Sequence, residues 1–172
     1  MTIFTSPYAD VAISDLSITQ RVFSNLETRP DDVVLTDGPS GRSLTASMFM
    51  DQVRRLAGGL TARGLGKGHT IALMAPNMPE YCTLFHAVAW AGGTITTINP
   101  TYTASEVNHQ LVDSGAEALV TIPDFLEVAQ TGAEGTGVTE IFAIGGADGA
   151  SALRLPQGGA FSNLASLRIP GG

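Results

Sequence analysis

A chain of 172 residues is long enough to bury a substantial core in one domain, and its 44 % apolar and 15 % charged composition is that of a globular protein. A formal net charge of −7, with nine scattered basic residues of which only Arg54 and Arg55 are adjacent, excludes a nucleic-acid surface, because phosphate binding needs clustered Lys and Arg. The single Cys82 excludes an internal disulfide and reads as a small packed residue in an apolar helix. The opening MTIFTSPYAD lacks a basic n-region and a continuous apolar run, so no secretory signal is expected and the location reads as cytoplasmic.

The first predicted element is a helix from about Ser17 to Glu27. Ser17-Ile-Thr-Gln20 is a capping box whose side chains satisfy the first free N–H groups, and Arg29-Pro30 ends the helix. Val33 to Leu35 reads as a strand, Asp37-Gly38-Pro39-Ser40-Gly41 as a turn and Arg42 to Thr45 as the antiparallel return, making a hairpin. From Thr45 to about Arg63, Phe49, Val53, Leu56 and Leu60 share one helical face, with Asp51, Arg54 and Arg55 largely away from it. A strand from Thr70 to Ala75, a helix from Asn77 to Ala91, a strand from Thr94 to Ile98 and a helix from Thr103 to about Asp113 follow. A strand from Ala118 to Ile122, a helix from Asp124 and a last strand from Thr139 to Ile144 complete the alternation. Capping boxes are expected at Asn77-Met-Pro-Glu80, Thr103-Ala-Ser-Glu106 and Asp124-Phe-Leu-Glu127. This order predicts an α/β fold with a parallel, doubly wound sheet, flanking helices and an N-terminal hairpin.

The run from Tyr81 to Ile98 has no charged residue and approaches the roughly 20 residues that a bilayer span needs. Gly92-Gly93, His86 and the threonines Thr83, Thr94, Thr96 and Thr97 divide it into an apolar helix and a β-branched strand, so no membrane span is expected. After Gly145 the composition turns to Gly, Ala and Ser with Pro156 and Pro170. The expected organisation is therefore an α/β subdomain over 1–145 and a linker over 146–172.

Candidate chemistry is sparse. Gly64-Leu-Gly-Lys-Gly-His69 has the glycines and the lysine of a phosphate loop, but it follows a helix and enters a strand. A phosphate loop does the reverse, so this is a helix C-cap and turn. Thr131 to Gly137 is rich in small and hydroxyl residues, yet Glu134 repels phosphate and no lysine is near, so it reads as surface loop. His69, His86 and His109 show no metal-ligand spacing, and the pair Cys82 and His86 lacks a second pair to complete a soft-ligand site. Asp31-Asp32 and Glu106 read as a solvated turn and a helix cap, leaving no acid–base pair. No catalytic, cofactor-binding or metal-binding residue is assigned to any position.

Asn99-Pro-Thr-Tyr-Thr-Ala-Ser-Glu106 followed by His109-Gln-Leu-Val-Asp-Ser-Gly-Ala116 resembles the stretch after the second strand in the adenylate-forming ligases. That family includes 4-coumarate:CoA ligases, fatty-acyl-CoA ligases and firefly luciferase. Ala75-Pro-Asn-Met-Pro-Glu80 and Ala89-Trp-Ala-Gly-Gly93 resemble its preceding helix, and Leu44-Thr45 with Leu56 to Gly66 its opening hairpin and helix, so the similarity covers roughly Val33 to Phe125. The resemblance implies an N-terminal portion of an enzyme that activates a fatty or aryl carboxylic acid with ATP and Mg²⁺ to an acyl-adenylate, then passes the acyl group to coenzyme A. The family's phosphate loop, nucleotide site and late lysine are not found in this sequence. The chain is therefore expected to precede a catalytic remainder, to be inactive alone, to hold none of these cofactors itself and to self-associate as a homo-oligomer through an exposed apolar face. The alternative is a stand-alone, non-catalytic α/β module that binds a nucleotide or a partner.

Overall fold

The computed structural model describes residues 5–145, together with the backbone of Ser151–Leu153 and Leu164–Arg168. Its helices are α1 (Ile18–Leu26), α2 (Ala46–Ala62), α3 (Pro79–Trp90), α4 (Ala104–Ser114) and α5 (Leu126–Ala133), the last preceded by a 3₁₀ turn over Pro123–Phe125. Its strands are β1 (Val33–Thr36), β2 (Ser43–Thr45), β3 (Thr70–Leu73), β4 (Thr94–Thr97), β5 (Ala118–Thr121), β6 (Glu140–Ala143), β7 (Ser151–Leu153) and β8 (Leu164–Arg168). β1 and β2 form the antiparallel hairpin. β3 to β6 form a parallel sheet in the order β4-β3-β5-β6, and the antiparallel strands β8 and β7 extend it beyond β6.

Alternation of side chains along the strands explains how helices cover both faces. Ile71, Leu73, Ala118, Val120 and Phe142 point into one apolar layer with Phe23 of α1, Val53, Leu56 and Leu60 of α2, and Leu84 and Val88 of α3. Ala72, Leu119 and Ile141 point into the other, with Val107 and Leu111 of α4 and Ala129 and Ala133 of α5. The sheet is thus doubly wound, as its sequence pattern implies. The uncharged run from Tyr81 to Ile98 is divided between α3 and β4, and no helix among the described residues is long and apolar enough to cross a membrane.

Local start signals hold at two of the four predicted capping boxes. Ser17 accepts from Gln20 N while its own N–H donates to the Gln20 side chain, and Thr103 and Glu106 make the same reciprocal pair. Asn77 does not cap: Pro79 occupies the first helical turn and Met78 becomes the N-cap without a side-chain bond. Asp124 does not cap either, because Pro123 starts a 3₁₀ turn and α5 begins at Leu126. Thr131 to Ala133, read as surface loop, is the last turn of α5, and Gly132 is buried there against α4. Strands β7 and β8 fall inside the 146–172 stretch read as linker. Backbone pairing with the otherwise open edge of β6 supplies their physical reason.

Candidate functional site

In a parallel sheet, ligands gather outside the carboxyl ends of the strands, where successive connections diverge. Here they diverge between β3 and β5, since β3 leads to β4 on one side and β5 leads to β6 on the other. That crevice is stapled shut at its floor. Met74 N donates to Val120 O at 2.8 Å, and the buried Thr121 hydroxyl donates to Met74 O at 2.8 Å. The open space lies one strand over, between the loops that leave β3 and β4.

This cleft has a volume of about 530 Å³ and is lined by Ala75, Pro76, Asn77 and Tyr81 on one side and Thr97 to Pro100 with Tyr102 on the other. Asn99 builds the second lip, because its side-chain oxygen accepts from the Thr101 N–H and hydroxyl, both at 3.0 Å. Tyr102 N closes the turn onto Asn99 O at 3.1 Å. Asn99 and Pro100, which follow the strand predicted to end at Ile98, therefore also face the cleft, which sequence reasoning did not single out. The signal available was positional: an Asn and a Pro after each of two adjacent parallel strands, with a tyrosine close behind. A second hollow of about 460 Å³ shares Tyr102 and runs along α4 past Glu106, His109 and Asp113. Hydrogen bonds from the Thr103 N–H and hydroxyl hold the Glu106 carboxyl below its ordinary range.

The main cleft is lined by neutral groups throughout. Its amides, phenols and prolines can hydrogen-bond and pack an uncharged, partly planar group, but offer neither a carboxylate and imidazole for proton transfer nor cations for phosphate. The other sequence candidates lie elsewhere. Gly64 to His69 forms the turn between α2 and β3, with positive φ at Gly64 (80°) and Gly68 (90°), at the opposite end of the sheet from the cleft. His69 Nδ1 meets Glu117 at 2.9 Å beside the amino ends of β3 and β5. His86 Nδ1 meets the buried Thr19 hydroxyl at 3.0 Å between α1 and α3, and burial lowers the imidazole pKa. His109 is exposed on α4, and burial pushes the half-buried Cys82 thiol up, the direction of a packing residue. Asp32 pairs with Arg29 at 3.9 Å on the surface. Among the described residues, no group of His, Cys, Asp and Glu could hold a metal ion.

Helices on both faces of a parallel sheet and a ligand-sized cleft at its carboxyl end define a doubly wound α/β protein. Comparison with known proteins narrows the class. The chain belongs to the AMP-binding enzyme family, whose pattern matches residues 22–155. It is 36 % identical over 147 residues to 4-coumarate–CoA ligase 5 of Oryza sativa subsp. japonica, covering 85 % of this chain and 27 % of that protein. It is 32 % identical over 110 residues to the probable 4-coumarate–CoA ligase 1 of Dictyostelium discoideum, covering 64 % of this chain and 20 % of that protein. A long-chain-fatty-acid–CoA ligase from Archaeoglobus fulgidus has the same fold at a TM-score of 0.77 and 24 % identity, over 84 % of this chain and 30 % of that one. The chain thus spans between a fifth and a third of the length of these relatives, and it is an N-terminal part of the adenylate-forming ligase fold.

Proposed function

We propose that this chain is the N-terminal α/β part of an ATP-dependent acid:CoA ligase. The whole enzyme activates a fatty or aryl carboxylate by attack on the α-phosphorus of ATP, releasing pyrophosphate. The coenzyme A thiol then attacks the acyl-adenylate, and AMP leaves. Within that enzyme, residues 1–145 act as a scaffold that supplies one wall of the ligand space, and 146–172 leads into the catalytic remainder. The reaction takes place in the cytosol with Mg²⁺ bound by that remainder.

The observation that carries this reading is the family match over residues 22–155 in a chain whose own cleft is neutral. Sequencing the encoding message past the codon for Gly172 tests it. Continuation into a Ser/Thr/Gly-rich loop containing lysine is expected, and a stop codon directly after Gly172 overturns it. Acid-dependent pyrophosphate release by the chain alone, with ATP, Mg²⁺ and coenzyme A, is expected to be zero. Val33, Met48 and Trp90 are exposed apolar residues, and self-association of the isolated chain is expected from them. Elution as a compact monomer at every concentration contradicts that expectation.

The alternative reading is a stand-alone, non-catalytic module that binds a nucleotide or a partner. Clear thermal stabilisation of the chain by ATP, AMP or coenzyme A supports it, and no shift supports the scaffold.

A further inference from the structure

Glu80 was expected to turn back on its own helix start, and it does the opposite. Its side chain is 4 % exposed, and Oε1 lies 2.5 Å from Nη1 of Arg42, the residue that follows the hairpin turn. Oε2 has no hydrogen-bond partner among the described residues. The turn that presents Arg42 is itself tied: Gly41 N donates to Asp37 O and Asp37 N to Arg42 O, both at 2.8 Å. The bond to Glu80 raises the Arg42 pKa, against the effect of burial.

A buried carboxylate with one idle oxygen is tolerated only where the rest of its surroundings favour the charge. Two features do so here. The guanidinium is one, and the other is the free N–H end of α3, in whose first turn Glu80 stands. The same turn has Met78 as an N-cap without any side-chain bond, so it lacks the local anchor that Thr103 gives α4. Asn77 and Tyr81, which flank Glu80 in the chain, both line the cleft.

We infer that Arg42 and Glu80 are positioning residues: their ion pair ties the hairpin to the uncapped start of α3 and thereby holds Asn77 and Tyr81 in place on the cleft wall. The functional meaning of this rests on the reading of the cleft as part of the ligand space. Without the guanidinium, the carboxylate is a buried unpaired charge that leaves for solvent, and the first turn of α3 loses its tie to the hairpin.

Hydrogen–deuterium exchange on the whole chain tests this, comparing wild type with Arg42→Met, Arg42→Lys and the double variant Arg42→Met/Glu80→Met. In Arg42→Met, residues 81–86, whose amides close the first turn of α3, should exchange about tenfold faster relative to Ala118–Thr121, with Arg42→Lys recovering part of the protection. The double variant leaves no unpaired buried charge and supplies the comparison if Arg42→Met does not fold. Equal acceleration of 81–86 and Ala118–Thr121, or none, in the folded variants overturns the inference. The readout is position and not ligand, so a cleft that binds nothing leaves the exchange result standing. Unchanged exchange would defeat the inference and leave the cleft reading intact.

Discussion

Gly132 lies where α5 meets α4, and a Cβ built there would stand 2.6 Å from Val107 Cγ1, 2.8 Å from Val107 Cβ and 3.1 Å from Ala104 O. Val107 is buried and β-branched, so it has no free rotamer by which to withdraw. Alanine would gain up to about 1 kcal/mol of helix propensity, but the overlap costs roughly 1–3 kcal/mol. Gly132→Ala is therefore expected to destabilise by about 1–2 kcal/mol by urea unfolding, and adding Val107→Ala should return part of the loss. In the sequence Gly132 looked like a loop glycine, because nothing local separates a residue kept small by a helix crossing from one kept small by a turn. His86 carries a second test. Burial holds its imidazole below the usual 6.5, so the unfolded chain takes up a proton that the folded chain resists. The stability it contributes is complete above about pH 6.5 and falls as pH drops from there through the folded value. Glu106 also titrates lower in the folded chain, but its contribution is lost only below its ordinary 4.5. Between pH 7.5 and 5.5 the wild-type urea midpoint should fall, and it should fall less in His86→Gln, whose amide can still meet the Thr19 hydroxyl. Equal drops would contradict the assignment.

At the scale of elements, short-range chemistry told helices and strands apart well and placed their ends less well. Capping boxes pointed to α1 and α4, and both agree with the structure. Asn77 and Asp124 had the same lettering, yet the prolines at Pro79 and Pro123 moved each start downstream. Glu80 showed most clearly what sequence spacing cannot carry. Its partner Arg42 is distant in the chain, and only the docked hairpin brings the two together. The cleft was hidden for a related reason, since its two lips belong to loops after β3 and β4 that face each other only once the strands pair. These differences separate in one experiment. Thr103→Ala removes a true cap and should cost about 1 kcal/mol in urea unfolding. Asn77→Ala removes none and should change stability by less than about 0.5 kcal/mol. A comparable loss at Asn77 would restore it as a cap and remove the reason for expecting α3 to depend on Arg42.

Across the whole molecule, the sheet separates two apolar layers that share only the backbone of its strands. β3 and β5 are covered on both faces, with Ile71, Leu73 and Val120 buried on one side and Ala72 and Leu119 on the other. That sandwich was legible because continuous apolar strands alternating with helical periods leave few alternatives to a parallel sheet covered on both sides. What spacing alone did not fix was strand order, which places β5 beside β3 and not beside β4. The order makes the first layer with α1 to α3 and the second with α4 and α5 depend on the same central strands, so neither should unfold alone. Ile71 belongs to the first layer and Ile141 to the second, on strands separated by β5. Ile71→Val and Ile141→Val should each cost about 1 kcal/mol without contact between the altered groups. Their combined cost should match the sum within about 0.5 kcal/mol, with one urea transition seen alike by tyrosine fluorescence and far-ultraviolet dichroism. Two transitions, or dichroism lagging fluorescence, would mean that the layers melt separately and that the central strands do not couple them.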